Sequence, residues 1–323
     1  MVLTKANVDL TITSDKEREI KSPDLSAVAV TGTNVDPNAK VFLIVGAANE
    51  TTLVTSIKVT LKNVGVIGNK IPTNDSLIRV RNGANLILEN KSTVADHVNS
   101  AGVGLTGNNQ TSDGRQGNGS AICVVNGAVL TIRSGANVTE NESTGGQDNK
   151  NLVGGIYVNM AEKTTNKPKL VIEGGYIGKN KCTDGNTSDI YVTEDSELSM
   201  KGNATIGELC LNAATGKNPN FTIEGKIENE ISKLNLRATK DTVSDVEGFW
   251  APATGTKPSI FKGTTTYTID QADVDQFKLW EFTGQKNLRG TSATADETTW
   301  ANLITKKYKI VINGNAATLG PKS

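Results

Sequence analysis

The chain has 323 residues, 34 Lys plus Arg against 34 Asp plus Glu, one histidine and only 4% aromatic residues. The zero net charge gives no basic excess for nucleic acid, and a lone His97 rules out the common His-rich metal sites and argues against a Ser-His-Asp triad. No apolar run approaches the roughly 18 residues of a membrane-spanning helix. The 32 glycines, with abundant Thr, Asn, Val and Ile, favour strands and tight turns, and no window is strongly helix-periodic.

Met1 precedes Val-Leu-Thr-Lys, with no charged n-region and no apolar core. This predicts either a cytoplasmic chain or one whose signal segment has been removed, and the repeats below favour the second. Val8-Asp9-Leu10-Thr11-Ile12 alternates and should open a stack of strands. An open stack exposes strand edges and needs a cap. The first 25 residues, with the charged run Asp15 to Lys21, are the candidate. Val28/Val30 and Val41/Leu43 read as strands of an early coil, so residues 1–56 are taken as cap and first coils.

From residue 57 to 236 one phrase recurs. Its first run reads Ile78/Val80, Ile122/Val124, Ile156/Val158 and Ile190/Val192. Its second run ends on Leu61, Leu88, Ile132, Ile172, Met200 and Ile223. A third apolar position follows at Val66, Val138, Ile177 and Ile206. Asn126-Gly127 and Ser134-Gly135 supply turn chemistry between runs. The offset from first to second run is about 8 residues, longer only where Ala161 to Lys167 is inserted. Three short strands per unit, varying in length only at loops, predict an all-β fold, a parallel β-helix of stacked coils.

After each second run comes one charge: Lys62, Glu89, Arg133, Glu173, Lys201, Glu224. The signs alternate. Equivalent residues of neighbouring parallel strands sit about 4.8 Å apart, where opposite charges attract and like charges repel. These six residues therefore read as an exterior charge ladder that fixes register.

Long loops are predicted at Ala95–Gly119, Thr139–Gly154 and Lys179–Ser188, all leaving the same side. Loops on a rigid scaffold commonly carry binding. They hold Asp96, His97, Asp113, Arg115, Asp148 and Asp184; the first four are the loop binding candidates. Asp96 beside His97 is a poor acid–base pair, since neighbours on a strand point apart. The outward positions of the first runs are Arg79/Arg81, Cys123/Val125, Tyr157/Asn159 and Tyr191/Thr193, a set without carboxylates. Tyr157 and Tyr191 should lie one above the other, either as a sugar platform or as a packing pair. The second runs carry acids, but each has opposite charges as neighbours, which neutralises an acid instead of raising its pKa.

Cys123, Cys182 and Cys210 stand at no metal spacing and read as free or buried thiols, with a Cys182–Cys210 bridge as the alternative. Gly114-Arg-Gln-Gly-Asn-Gly-Ser lacks the Gly-Lys-Ser/Thr of a phosphate loop. Neither a metal nor a cofactor is expected. Beyond Leu236 the phrase blurs. Residues 237–323 read as irregular closing coils, or alternatively as a small separate β domain.

Leu61-Lys-Asn-Val-Gly-Val-Ile-Gly-Asn69, Ile78-Arg-Val-Arg-Asn-Gly-Ala-Asn-Leu86, Gly154-Gly-Ile-Tyr-Val158 and Ile172-Glu-Gly-Gly-Tyr-Ile-Gly-Lys-Asn180 resemble the pectate-lyase-like right-handed β-helix surface proteins of bacteria, akin to polymorphic outer-membrane proteins and autotransporter passengers. The resemblance implies right-handedness and an extracellular or cell-surface location. It also implies a non-enzymatic, adhesin-like role towards a glycan or a host or matrix protein. It transfers no catalytic residues. A polysaccharide lyase or glycoside hydrolase on the same scaffold is the alternative.

Overall fold

The computed structural model describes residues 2–3, 6–21, 43–47, 53–68, 72–73, 76–96, 98–99, 120–143, 153–159, 166–181, 188–213, 216–238, 243–279, 305 and 307–322. Among these, 22 strands join one sheet whose pairings are parallel except at the C-terminal hairpin. Each strand pairs with the equivalent strand of the next repeat unit, so the strands form three columns.

The first column stacks Leu43–Val45, Ile78–Val80, Ile122–Val125, Ile156–Asn159 and Ile190–Val192. It continues through Leu209–Leu211 and Leu234–Leu236, which lie inside longer strands. The second column includes Lys58–Lys62, Asn85–Glu89, Val129–Ile132, Lys169–Ile172, Glu197–Met200 and Asn220–Ile223. The third aligns Ile20, Val66, Val94, Val138, Ile177 and Ile206. A short accessory sheet joins Pro72–Thr73, Val98–Asn99 and Glu142–Ser143.

Alternation explains the interior. In the second column Val59, Leu86, Leu130, Leu170, Leu198 and Phe221 share one row, and all are buried. Strands three to five residues long cannot hide such a row alone, so it is buried by the layers above and below. The result is one continuous apolar core running from Leu43 to Leu319.

Asparagines pin the turns. Asn82 and Asn126 adopt positive φ of 54° and 49°, which Asn tolerates better than most residues. Their amides form a ladder: Asn82 Nδ2 donates to Ala47 O, Asn126 Nδ2 to Asn82 Oδ1, and Asn166 Nδ2 to Asn126 Oδ1. Asn166 thus takes the same turn position in the next layer.

Two helices depart from the strand-only expectation beyond residue 237: Val243–Trp250 and Gln271–Asp275. The second begins with a reciprocal cap, Asp270 accepting from Asp273 N–H and Asp273 from Asp270 N–H, an arrangement that favours a helix start. Between and after them, Phe261–Gly263 extends the second column, and Phe277–Leu279 extends the third at Phe277 and the first at Leu279. Phe221, Phe261 and Phe277 pack together, with Phe261 and Phe277 centroids 4.4 Å apart. The hairpin Tyr308–Asn313/Ala316–Pro321 covers the end of the second column.

Candidate functional site

The outward side of the first column concentrates the chemistry. Along it run two neighbouring rows. One holds Gly155, Asp189, Glu208 and Lys233, and the other Tyr157, Tyr191, Cys210 and Asn235. An exterior row on a stacked sheet would ordinarily be wet. Here Asp189 is fully buried, and Tyr157, Tyr191, Glu208, Cys210 and Asn235 are 7% exposed or less. Cys123, Val125, Val153, Tyr157, Tyr191 and Cys210 form a second, smaller apolar cluster on this side.

Asp189 is held from both directions. Its Oδ1 accepts from the Asn180 backbone and side-chain N–H groups at 2.9 and 2.8 Å, and its Oδ2 accepts from Glu208 N–H at 2.8 Å. Asn180 continues the contact to Asn141, whose Nδ2 donates to Asn180 Oδ1. A second asparagine ladder therefore ends on a carboxylate. Glycines make room for it. A Cβ at Gly155 would lie 2.2 Å from Asp189 O, and one at Gly207 would lie 2.3 Å from Asp189 Oδ2.

Burial pushes the Asp189 carboxyl up to about 6, against the pull of Asn180, Glu208 N–H and Lys233 in the other direction. Burial also pushes Glu208 up to about 7, opposed by Lys233, by the hydrogen bond from Asn235 and by Arg237, while the Asp189 charge adds to the rise. Asn235 Nδ2 donates to Glu208 Oε1 at 3.3 Å, and Asn235 Oδ1 is buried without a hydrogen-bond partner. The pair can therefore hold a proton near neutrality, the property expected of acid–base groups and also of buried structural acids.

The absence of carboxylates from this face, expected from the sequence, is corrected here. Asp189 lies one position before the Ile190/Val192 run. Glu208 lies in Thr205–Ala213, a single strand that serves the third column at Ile206 and the first at Leu209–Leu211 with no loop between. The readable signal was Leu209/Leu211 and Leu234/Leu236, which repeat the two-residue spacing of the first runs.

Tyr157 and Tyr191 are in register, with ring centroids 5.9 Å apart and planes tilted by 38°. Both are buried, so they offer no open sugar platform. The Arg237 guanidinium carbon lies 5.9 Å from the Tyr191 centroid. Asp96 sits at positive φ, 54°, directly after Thr93–Ala95. His97, Asp113, Arg115, Asp148, Asp184 and Cys182 lie outside the described residues, as do Val28/Val30 and Val41.

The six ladder residues occupy neighbouring layers of the second column. Arg133 bonds Glu89 at 2.9 Å and Glu173 at 3.1 Å, and Lys201 lies 3.1 Å from Glu173. Lys62 is in register with Glu89. Glu224 meets Lys169 at 3.7 Å. Among the described residues no group of three His, Cys, Asp or Glu is placed to hold a metal ion, and no helix is long and apolar enough to cross a membrane.

No family model, no curated protein and no solved structure matches the chain.

Proposed function

We propose that the chain is a right-handed parallel β-helix from the cell surface or a secreted fraction. It acts as a non-enzymatic, adhesin-like scaffold that displays its inter-strand loops to a glycan or to a host or matrix protein. The observation that carries the scaffold reading is the unbroken register Leu43–Ile78–Ile122–Ile156–Ile190–Leu209–Leu234, one buried residue from each successive unit. Short parallel strands repeating in this way fit a β-helix-like solenoid. The non-enzymatic reading draws support from the ladder, where Glu89 and Glu173 are neutralised by Arg133. The test is binding of the full chain to immobilised glycans and matrix proteins, in parallel with incubation on neutral and acidic polysaccharides. Saturable binding without cleavage is the expected result. Chain cleavage would overturn the reading.

A carbohydrate-active enzyme is the second reading, favoured by the adjacent Asp189 and Glu208 with raised pKa values. It requires polysaccharide cleavage by the native chain that disappears in Glu208→Gln.

A further inference from the structure

Among the described residues, the C-terminal end of the stack is covered by a strand at one column and has no covering strand at the next. In the second column, Phe261–Gly263 is covered by the antiparallel strand Ala316–Pro321. Phe277–Leu279, in which Phe277 continues the third column and Leu279 the first, pairs on one side with Ile231–Ala238, and among the described residues no strand pairs with its other edge. An unpaired edge is a template for another strand.

Beside this edge lies a cavity of about 600 Å³. Four lysines line it, Lys233, Lys278, Lys309 and Lys322, against one acid, Asp275. Lys278 lies 3.8 Å from Glu230 and donates to Asp275 O. Lys309 and Lys322 are exposed, and among the described residues neither forms an ion pair. The cavity therefore carries positive charge that its own wall does not neutralise.

Its apolar part is mostly aliphatic. Leu279 and Ile310 are partly open. Phe277 is 4% exposed with its ring against Phe261, and the Tyr308 hydroxyl donates to Glu247. Tyr308 is the half-buried ring of the lining; it is the strand edge, which calls for backbone donors and acceptors, that favours a peptide over a glycan. An extended peptide satisfies all three features: backbone groups for the strand edge, carboxylates for the lysines and alternating aliphatic side chains for the floor.

We infer that this cavity receives an acidic, extended peptide segment of a partner protein, added as a strand to the Phe277–Leu279 edge. The site lies at the C-terminal end of the stack, shares Lys233 with the outward row of the first column but not Asp189, Glu208 or the tyrosines, and does not depend on the adhesin reading.

The test titrates the full chain with a labelled eight-residue peptide alternating Glu with Val. Comparators are the same peptide with Lys for Glu, the same peptide with two prolines that remove backbone donors, and an acidic oligosaccharide. The Glu–Val peptide should bind, with affinity falling as salt rises, and the Lys and proline peptides should not. K309E/K322E should weaken binding by about tenfold or more, as expected for reversal of unpaired charges at a site, while circular dichroism stays that of the native chain. Absence of binding by the Glu–Val peptide, or unchanged affinity in K309E/K322E, would overturn the proposal. Equal binding by the proline peptide would overturn the strand-addition mode. Capture of the oligosaccharide alone would replace the peptide with a glycan.

Discussion

Asn180 gives two hydrogen bonds to a single oxygen of Asp189, from its backbone N–H at 2.9 Å and from its side-chain amide at 2.8 Å, while the other oxygen accepts from Glu208 N–H. A carboxyl group supplies acceptors on both sides. A carboxamide supplies only one and would turn its NH2 towards the remaining N–H. Asp189→Asn should therefore cost roughly 1–3 kcal/mol, the range for a buried donor left unmade. Urea denaturation measures it, and an unchanged midpoint would show that the second acceptor is unimportant.

Gly207 tests the same contact from the opposite side. Its Cβ would fall 2.3 Å from Asp189 Oδ2, closer than real Cβ atoms approach anything. Asp189 is fixed by three hydrogen bonds and cannot easily yield. Gly207→Ala should lower the unfolding temperature, while the same change at Gly248, where a Cβ would have open space and φ is not positive, should not. Equal effects at both positions would mean the backbone relaxes around Asp189.

The buried carboxyls set a pH dependence. Asp189 and Glu208 both titrate higher in the fold than in the unfolded chain, at about 6 and about 7. The fold therefore binds their protons more tightly. Their contribution is full below the ordinary carboxylate range and is lost as pH rises through those two values. Glu208→Gln removes one of the two titrations. Its stability relative to wild type should improve between pH 5 and pH 8, read from denaturation midpoints across that range. A constant difference would place Glu208 in contact with solvent.

How much of this was legible follows from where the residues sit. Leu130 and Ile132 could be placed inward because alternation and a neighbouring Asn-Gly turn coincide, and their equivalents in five other units gave the register. The insertion before Pro168 left the pattern readable because in sequence it falls between the first and second apolar runs of its unit. Asp189 and Glu208 escaped because the pattern marks apolar positions, and a buried acid imitates a loop residue. Glu208 was hidden further by the missing turn in Thr205–Ala213. The helix at Gln271–Asp275 could have been found from Asp270 and Asp273, three apart; the periodicity of five residues was too short to register. The burial of the Tyr157 side was not legible at all, since solvent exposure of an outward row depends on what packs over it.

Arg133 is the centre of the ladder, joined to Glu89 and Glu173. Hydrogen bonds from Lys201 and Arg133 hold Glu173 below the usual carboxylate range against the desolvation that opposes them. That contribution is present above the unfolded pKa and is lost as pH falls through the folded one, opposite to Asp189 and Glu208. The Arg133 side chain is 44% exposed, so Arg133→Gln should cost only about 0.5–1 kcal/mol in low salt. Molar salt should shrink the difference, because exposed pairs are screened. Arg133→Glu, placing three acids in one row, should cost more and respond more steeply to salt. A loss of several kcal/mol unaffected by salt would mean Arg133 acts through packing of its stem.

Tyr191 separates a packing role from a binding one. It is 4% exposed, lies between Tyr157 and Cys210 in its row, and has Arg237 over its ring. Arg237 is itself buried, and its carbonyl accepts from Trp250 Nε1 at 2.8 Å. Removing the ring would open a void beside a buried cation and loosen the attachment of helix Val243–Trp250. Tyr191→Ala should cost roughly 3–5 kcal/mol, the range for emptying a buried aromatic site. An exposed aromatic would cost far less. Tyr191→Phe keeps the ring and should retain most of the stability. Thermal denaturation of the two variants decides it. A Tyr191→Ala protein as stable as wild type would return this face to solvent and revive the sugar platform.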